Sequence, residues 1–152
     1  FKVAPTGIPA LPVPAEKILG FIEAYEKRDS LREELAMLKE ALDKKKISRR
    51  KYKSRRRSIN KEIKALDEKI AALASELREA GGLLAEVIGA LEVAESELAS
   101  VERDLRSLEV KYLRKEIGSD AYRKLLREYR RREDRARVAI RAALLRLREL
   151  VS

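Results

Sequence analysis

The stretch Lys44-Lys-Lys-Ile-Ser-Arg-Arg-Lys-Tyr-Lys-Ser-Arg-Arg-Arg57 holds ten basic residues in fourteen and no acid. Inside it sits a helix-start signal. Ser48 can accept a hydrogen bond from the open backbone N–H groups of a new helix, and Ile47 before it can pack on Tyr52 as a hydrophobic staple. One helix therefore ends here and another begins, in a strongly positive setting. A related signal, Ile117-Gly-Ser-Asp-Ala-Tyr122, follows seventy residues later. The chain reads as two copies of one unit: helix, basic turn, helix.

Apolar spacing on either side of these turns predicts four helices. The first runs from about Ala15 to Lys45. Ile18, Ile22 and Tyr25 begin its apolar stripe, and Leu31, Leu35, Leu38 and Leu42 continue it after a stutter at Asp29 and Ser30. The second runs from Ser48 to near Glu79, with Ile59, Ile63, Leu66, Ile70, Leu73 and Leu77 alternating by four and three as in a coiled-coil seam. Between Tyr52 and Ile59 that seam is filled by arginines, whose stems can cover apolar surface while their heads stay in water. Ala80-Gly-Gly82 marks either a helix end with a reversal or a kink in one long helix.

The third helix, from about Leu83 to Lys115, carries the most regular seam: Leu84, Val87, Leu91, Ala94, Leu98, Val101, Leu105, Leu108 and Tyr112. Its middle, Glu86 to Asp104, has five Glu and one Asp against one Arg. The fourth, about Ser119 to Leu150, keeps its frame through Tyr122, Leu126, Tyr129, Ala136, Ile140, Ala143, Leu147 and Leu150. Glu133 stands in that frame where leucine is expected, and should lie at an edge or be paired with an arginine. Before all this, Pro5, Pro9, Pro12 and Pro14 make residues 1–14 an extended arm or linker, with Val3, Ile8, Leu11 and Val13 lying on a helix surface.

A shift of seventy residues aligns Leu35 with Leu105, Leu38 with Leu108, Ile47 with Ile117, Tyr52 with Tyr122, Ile70 with Ile140 and Leu77 with Leu147. Heptads alone align at any multiple of seven, but they do not produce a matched Ile-x4-Tyr pair at a helix break. The expected fold is all-α: a long antiparallel coiled coil or elongated four-helix bundle built from two repeated αα-hairpins, 15–80 and 83–151. In an up-down-up-down bundle both turns lie at one end, and the basic run joins a secondary basic patch of Lys111, Arg114, Lys115, Arg123 and Lys124.

Composition narrows the chemistry. The 152 residues include no His, Cys or Trp, so there is no thiol or imidazole ligand, no disulfide and no Ser-His or Cys-His pair. No phosphate loop or paired-carboxylate context points to catalysis, and no cofactor is expected. Charged residues make up 41% and the net charge is +10, which suits an acidic partner: nucleic acid, an anionic membrane or an acidic protein segment. The same surface also suits long solvated helices, or a thermophilic source with ion-pair networks. No run approaches the ~18 apolar residues of a membrane span, and no signal peptide is evident, so the expected location is cytoplasmic. Starting at Phe1 rather than Met, the chain reads as a piece of a longer protein.

The turns Lys46-Ile-Ser-Arg-Arg-Lys-Tyr52 and Glu116-Ile-Gly-Ser-Asp-Ala-Tyr122 resemble those of the archaeal cell-division protein A family (CdvA) over residues 40–147. The family tends to have proline after the isoleucine, where this chain has Ser48 and Gly118. The resemblance implies a small N-terminal β-barrel outside this stretch and a C-terminal segment that recruits an ESCRT-III-like division protein. It also implies filament formation and association with DNA or membrane.

The sequence alone suggests a non-catalytic scaffold that self-associates as a homo-oligomer. Its anion-binding candidates are Lys44, Lys45, Lys46, Arg49, Arg50, Lys51, Lys53, Arg55, Arg56 and Arg57. Ile47, Ser48, Tyr52, Ile117 and Tyr122 are the structural candidates of the two turns. Phosphate contacts of this kind bind in a salt-sensitive, sequence-independent way. The alternative is a helical protein–protein interaction arm of a larger assembly, with the basic run a solvated helix tip.

Overall fold

The computed structural model describes residues 11–152, and it is all-α. Four helices follow one another: α1 Ala15–Asp43, α2 Arg49–Glu79, α3 Gly82–Leu113 and α4 Ser119–Leu150. They pack pairwise, α1 on α2 and α3 on α4, and the chain divides into two compact units between Ala80 and Gly81. Most of the proline-rich arm lies outside the described residues, including Val3 and Ile8. Of its remainder, Leu11 and Val13 are half-buried.

Both hairpins are antiparallel, as the ion pairs across them record. Lys17 meets Glu76, Arg28 meets Asp67 and Glu34 meets Arg55, so the partner's number falls as the first rises. In the second hairpin, Asp104 meets Arg132 and Glu102 meets Arg137. Most of these side chains are well exposed, and a pair of this kind contributes only about 0.2–1 kcal/mol. The seams matter more, since each fully buried Leu or Ile contributes roughly 1.5–3 kcal/mol. Ile18, Ile22, Tyr25, Ile59, Ile70 and Leu77 are buried in the first unit; Leu84, Val87, Leu91, Val101, Leu108, Ile140 and Leu147 are buried in the second.

Burial is uneven along each hairpin. Leu31, Leu35, Leu38 and Leu42 are only half-buried, as are Tyr122, Leu126 and Tyr129. The fully buried residues concentrate away from the turn: Ile18 to Arg28 with Ile59 to Leu77, and Leu84 to Leu108 with Ala136 to Leu147. Near each turn the two helices shield only a seam, and solvent reaches its edges.

The turns explain the helix ends. α1 stops at Asp43 and α3 at Leu113, each two residues short of the expected ends at Lys45 and Lys115. The cause is a left-handed residue after each cap, Lys45 at φ 59° and Lys115 at φ 60°. This closes a Schellman motif. Lys46 N–H donates to the Ala41 carbonyl (2.8 Å) and Lys45 N–H to that of Leu42 (2.9 Å). Seventy residues on, Glu116 N–H donates to Lys111 (2.9 Å) and Lys115 N–H to Tyr112 (3.0 Å). The two turns thus share one backbone hydrogen-bond pattern.

Gly81 and Gly82 separate α2 from α3. Both have positive φ, 71° and 55°, which α2 and α3 as one kinked helix would not show. Gly81, with ψ −167°, occupies a conformation that costs a Cβ-bearing residue heavily.

A left-handed lysine carries a penalty of about 1–2 kcal/mol that glycine avoids, partly offset by glycine's larger loss of chain entropy. Lys45→Gly and Lys115→Gly should each raise stability by up to about 1 kcal/mol in urea unfolding followed by circular dichroism. Lys45→Val should lower it, and the opposite order would contradict the turn geometry.

Candidate functional site

The basic run occupies the first turn and the opening of α2. Ser48 has extended backbone (φ −77°, ψ 157°), and its Oγ accepts from Lys51 N–H at 3.1 Å. This is the expected N-cap, and it fixes where α2 starts and which way its first side chains face. Ile47 and Tyr52 flank the cap, both half-buried.

The ten cations divide by environment. Lys44 Nζ is held by Glu40 (2.6 Å), and Arg55 makes two contacts to the Glu34 carboxylate on α1 (2.8 and 3.0 Å). The Arg56 guanidinium lies 5.7 Å from the Tyr52 ring centroid, within cation–π range. Lys45, Lys46, Arg49, Arg50, Lys51, Lys53 and Arg57 have exposed side chains with no acidic partner among the described residues. A cluster of this density raises the local positive potential and concentrates anions near it.

The second turn has the same backbone and different chemistry. Gly118 stands in place of Ser48, so the side-chain cap is absent. Tyr112 takes the position of Leu42, and its ring stacks on Tyr122 with centroids 4.1 Å apart and planes 13° from parallel. Tyr112 Oη and Ser119 Oγ are 3.4 Å apart. Lys111, Arg114, Lys115, Arg123 and Lys124 are all exposed here, but Arg123 is tied to Asp120 at 2.6 Å. Glu116 and Asp120 further dilute the charge.

Two polar residues interrupt the seams. Glu133, 13% exposed, is paired with Arg130 (2.9 Å) and Arg137 (3.6 Å), as its place in an apolar frame required. Arg28, 6% exposed, was not anticipated. Its Nη1 contacts Asp67 at 3.1 Å, Nη2 lies 3.8 Å from Asp29, and the guanidinium covers the Tyr25 ring at 4.5 Å. The sequence did hold a signal: Tyr25, Arg28 and Leu31 are three apart, so an arginine fills the seam at the frame change.

Among the described residues no cluster of acids is arranged to hold a metal ion, and no helix is long and apolar enough to cross a membrane.

Aromatic stacking contributes about 0.5–1.5 kcal/mol beyond burial. A double-mutant cycle of Tyr112→Ala and Tyr122→Ala should give coupling in that range, with a smaller value for Leu42→Ala and Tyr52→Ala at the first turn. Equal couplings would contradict the difference between the turns. Comparison with protein-family models and with curated proteins gives no match.

Proposed function

We propose that this chain is a non-catalytic helical scaffold that self-associates and binds an anionic partner, DNA or a membrane surface, through its first hairpin turn. The observation that carries the reading is the set of seven exposed cations at Lys45–Arg57 with no acidic partner among the described residues. In a chain with 26 acidic residues, a cluster kept clear of them is a surface on which an anion can neutralise charge. The absence of His and Cys removes thiol and imidazole ligands and the Ser-His and Cys-His pairs. The likeness of the turns to those of the CdvA family supports a division scaffold with an ESCRT-III-like partner.

Self-association has its own support. Val138 and Leu145, seven residues apart on α4, are each 55% exposed, and Val93 on α3 is 60% exposed. Heptad-spaced apolar residues facing water suit a second helical contact. They also favour the second reading, a protein-interaction arm with no nucleic acid.

Replacing Arg49, Arg50, Arg55, Arg56 and Arg57 together by Gln should abolish binding to duplex DNA and to anionic liposomes, with helicity unchanged by circular dichroism. Undiminished binding would remove the basic run from the function. Capture of a protein partner that survives nuclease and high salt would favour the interaction arm.

A further inference from the structure

The unpaired cations of α2 are not distributed evenly around the helix. Arg50, Lys53, Arg57, Lys61 and Lys64 are spaced three, four, four and three, which places them on one face. That face is turned away from the seam residues Tyr52, Ile59 and Ile63. All five are exposed, and none has an ion pair or hydrogen bond among the described residues. Lys61 and Lys64 lie beyond the basic run, one to two turns further along. Lys51 and Arg55 stand on another side, near Glu62, where Arg55 is already engaged by Glu34. Glu68, the next residue on the cationic face, ends the stripe.

The surroundings of the stripe bear on its ligand. α2 exposes no large apolar side chain. A helix lying in a bilayer interface needs an exposed apolar face, and the apolar face of α2 packs on α1. A row of cations along one helix face, with no large apolar side chain exposed on α2, suits a row of fixed charges. From Arg50 to Lys64 the row covers about 21 Å at 1.5 Å per residue, about six base pairs of duplex at 3.4 Å each.

We propose that Arg50, Lys53, Arg57, Lys61 and Lys64 form a track for the phosphate backbone of duplex DNA, read without regard to base sequence. The site is a line along α2, not the turn as a whole. This rests on the anionic-partner reading above and narrows it to one face and one ligand class.

The test uses the full chain and a fluorescein-labelled DNA duplex in two unrelated sequences, with anisotropy followed over a salt series. Two variants remove equal charge: Lys61→Gln with Lys64→Gln on the stripe, and Lys27→Gln with Lys69→Gln off it, both exposed, on α1 and on another side of α2. Each phosphate contact contributes about 0.9 to the slope of log K against log salt. The stripe variant should therefore flatten the slope by about two and weaken binding roughly tenfold per lost contact at about 0.1 M salt. The off-stripe variant should stay within about twofold of the parent, and both duplexes should bind alike. If the parent binds duplex but the off-stripe pair loses as much as the stripe pair, the track is wrong while the anionic-partner reading stands. If the parent binds phosphatidylserine vesicles through Lys61 and Lys64 and ignores duplex, the ligand class is overturned. If it binds neither, both readings fall.

Discussion

The reversal at Lys45 is the constraint from which the first hairpin follows. A left-handed residue after α1, closed by the hydrogen bond from Lys46 to Ala41, turns the chain within five residues. The Ser48 cap then sets the first helical residue of α2. Together they fix the register of α2 on α1. That register turns Ile59, Ile70 and Leu77 inward and brings Arg55 to Glu34 and Asp67 to Arg28. It also decides which cations face water. A one-residue slip would rotate every side chain of α2 by about 100°, carrying the apolar seam off α1.

The helices and the repeat were legible because they rest on spacing. A seam such as Leu84-Val87-Leu91-Ala94-Leu98-Val101 leaves little choice of structure, and Ser48 with Ile47 and Tyr52 announces a helix start. What sequence did not reveal has physical causes. Lysine in the left-handed region is uncommon, so nothing marked Lys45 and Lys115 as lying outside their helices, and the predicted ends ran two residues long. Arg28 reads as surface because arginine usually is. It is buried through contacts to Asp67 and Tyr25, residues distant in sequence or one turn away. The basic run was plain in the sequence. Which of its members Glu34 and Glu40 neutralise depends on packing and helix direction.

The two repeats share a frame and differ in what occupies it. Ser48 becomes Gly118, Leu42 becomes Tyr112, Ile63 becomes Glu133 and Arg28 becomes Leu98. The backbone hydrogen bonds of the turns are unchanged by these exchanges. The stacked tyrosines support the second turn where the side-chain cap is missing. The cationic row of α2 has a counterpart on α4 made of Asp120, Arg123, Arg127, Arg131 and Asp134. There an acid stands at each end, and one of them holds its neighbouring arginine. Structure is thus duplicated while the charge pattern is not, so the proposed scaffold rests on what the repeats share and the proposed binding on what they do not.

That division can be measured by moving the pattern. Asp120→Arg with Asp134→Lys gives α4 the full cationic row of α2 on an unchanged backbone. Sedimentation of the chain with excess labelled duplex then counts duplexes bound per chain. The account predicts a rise from one to two, with the helical signal in circular dichroism unaltered. A ratio that stays at one, in a chain that remains fully helical, would contradict the claim that the row of charge on the helix face is itself the binding site.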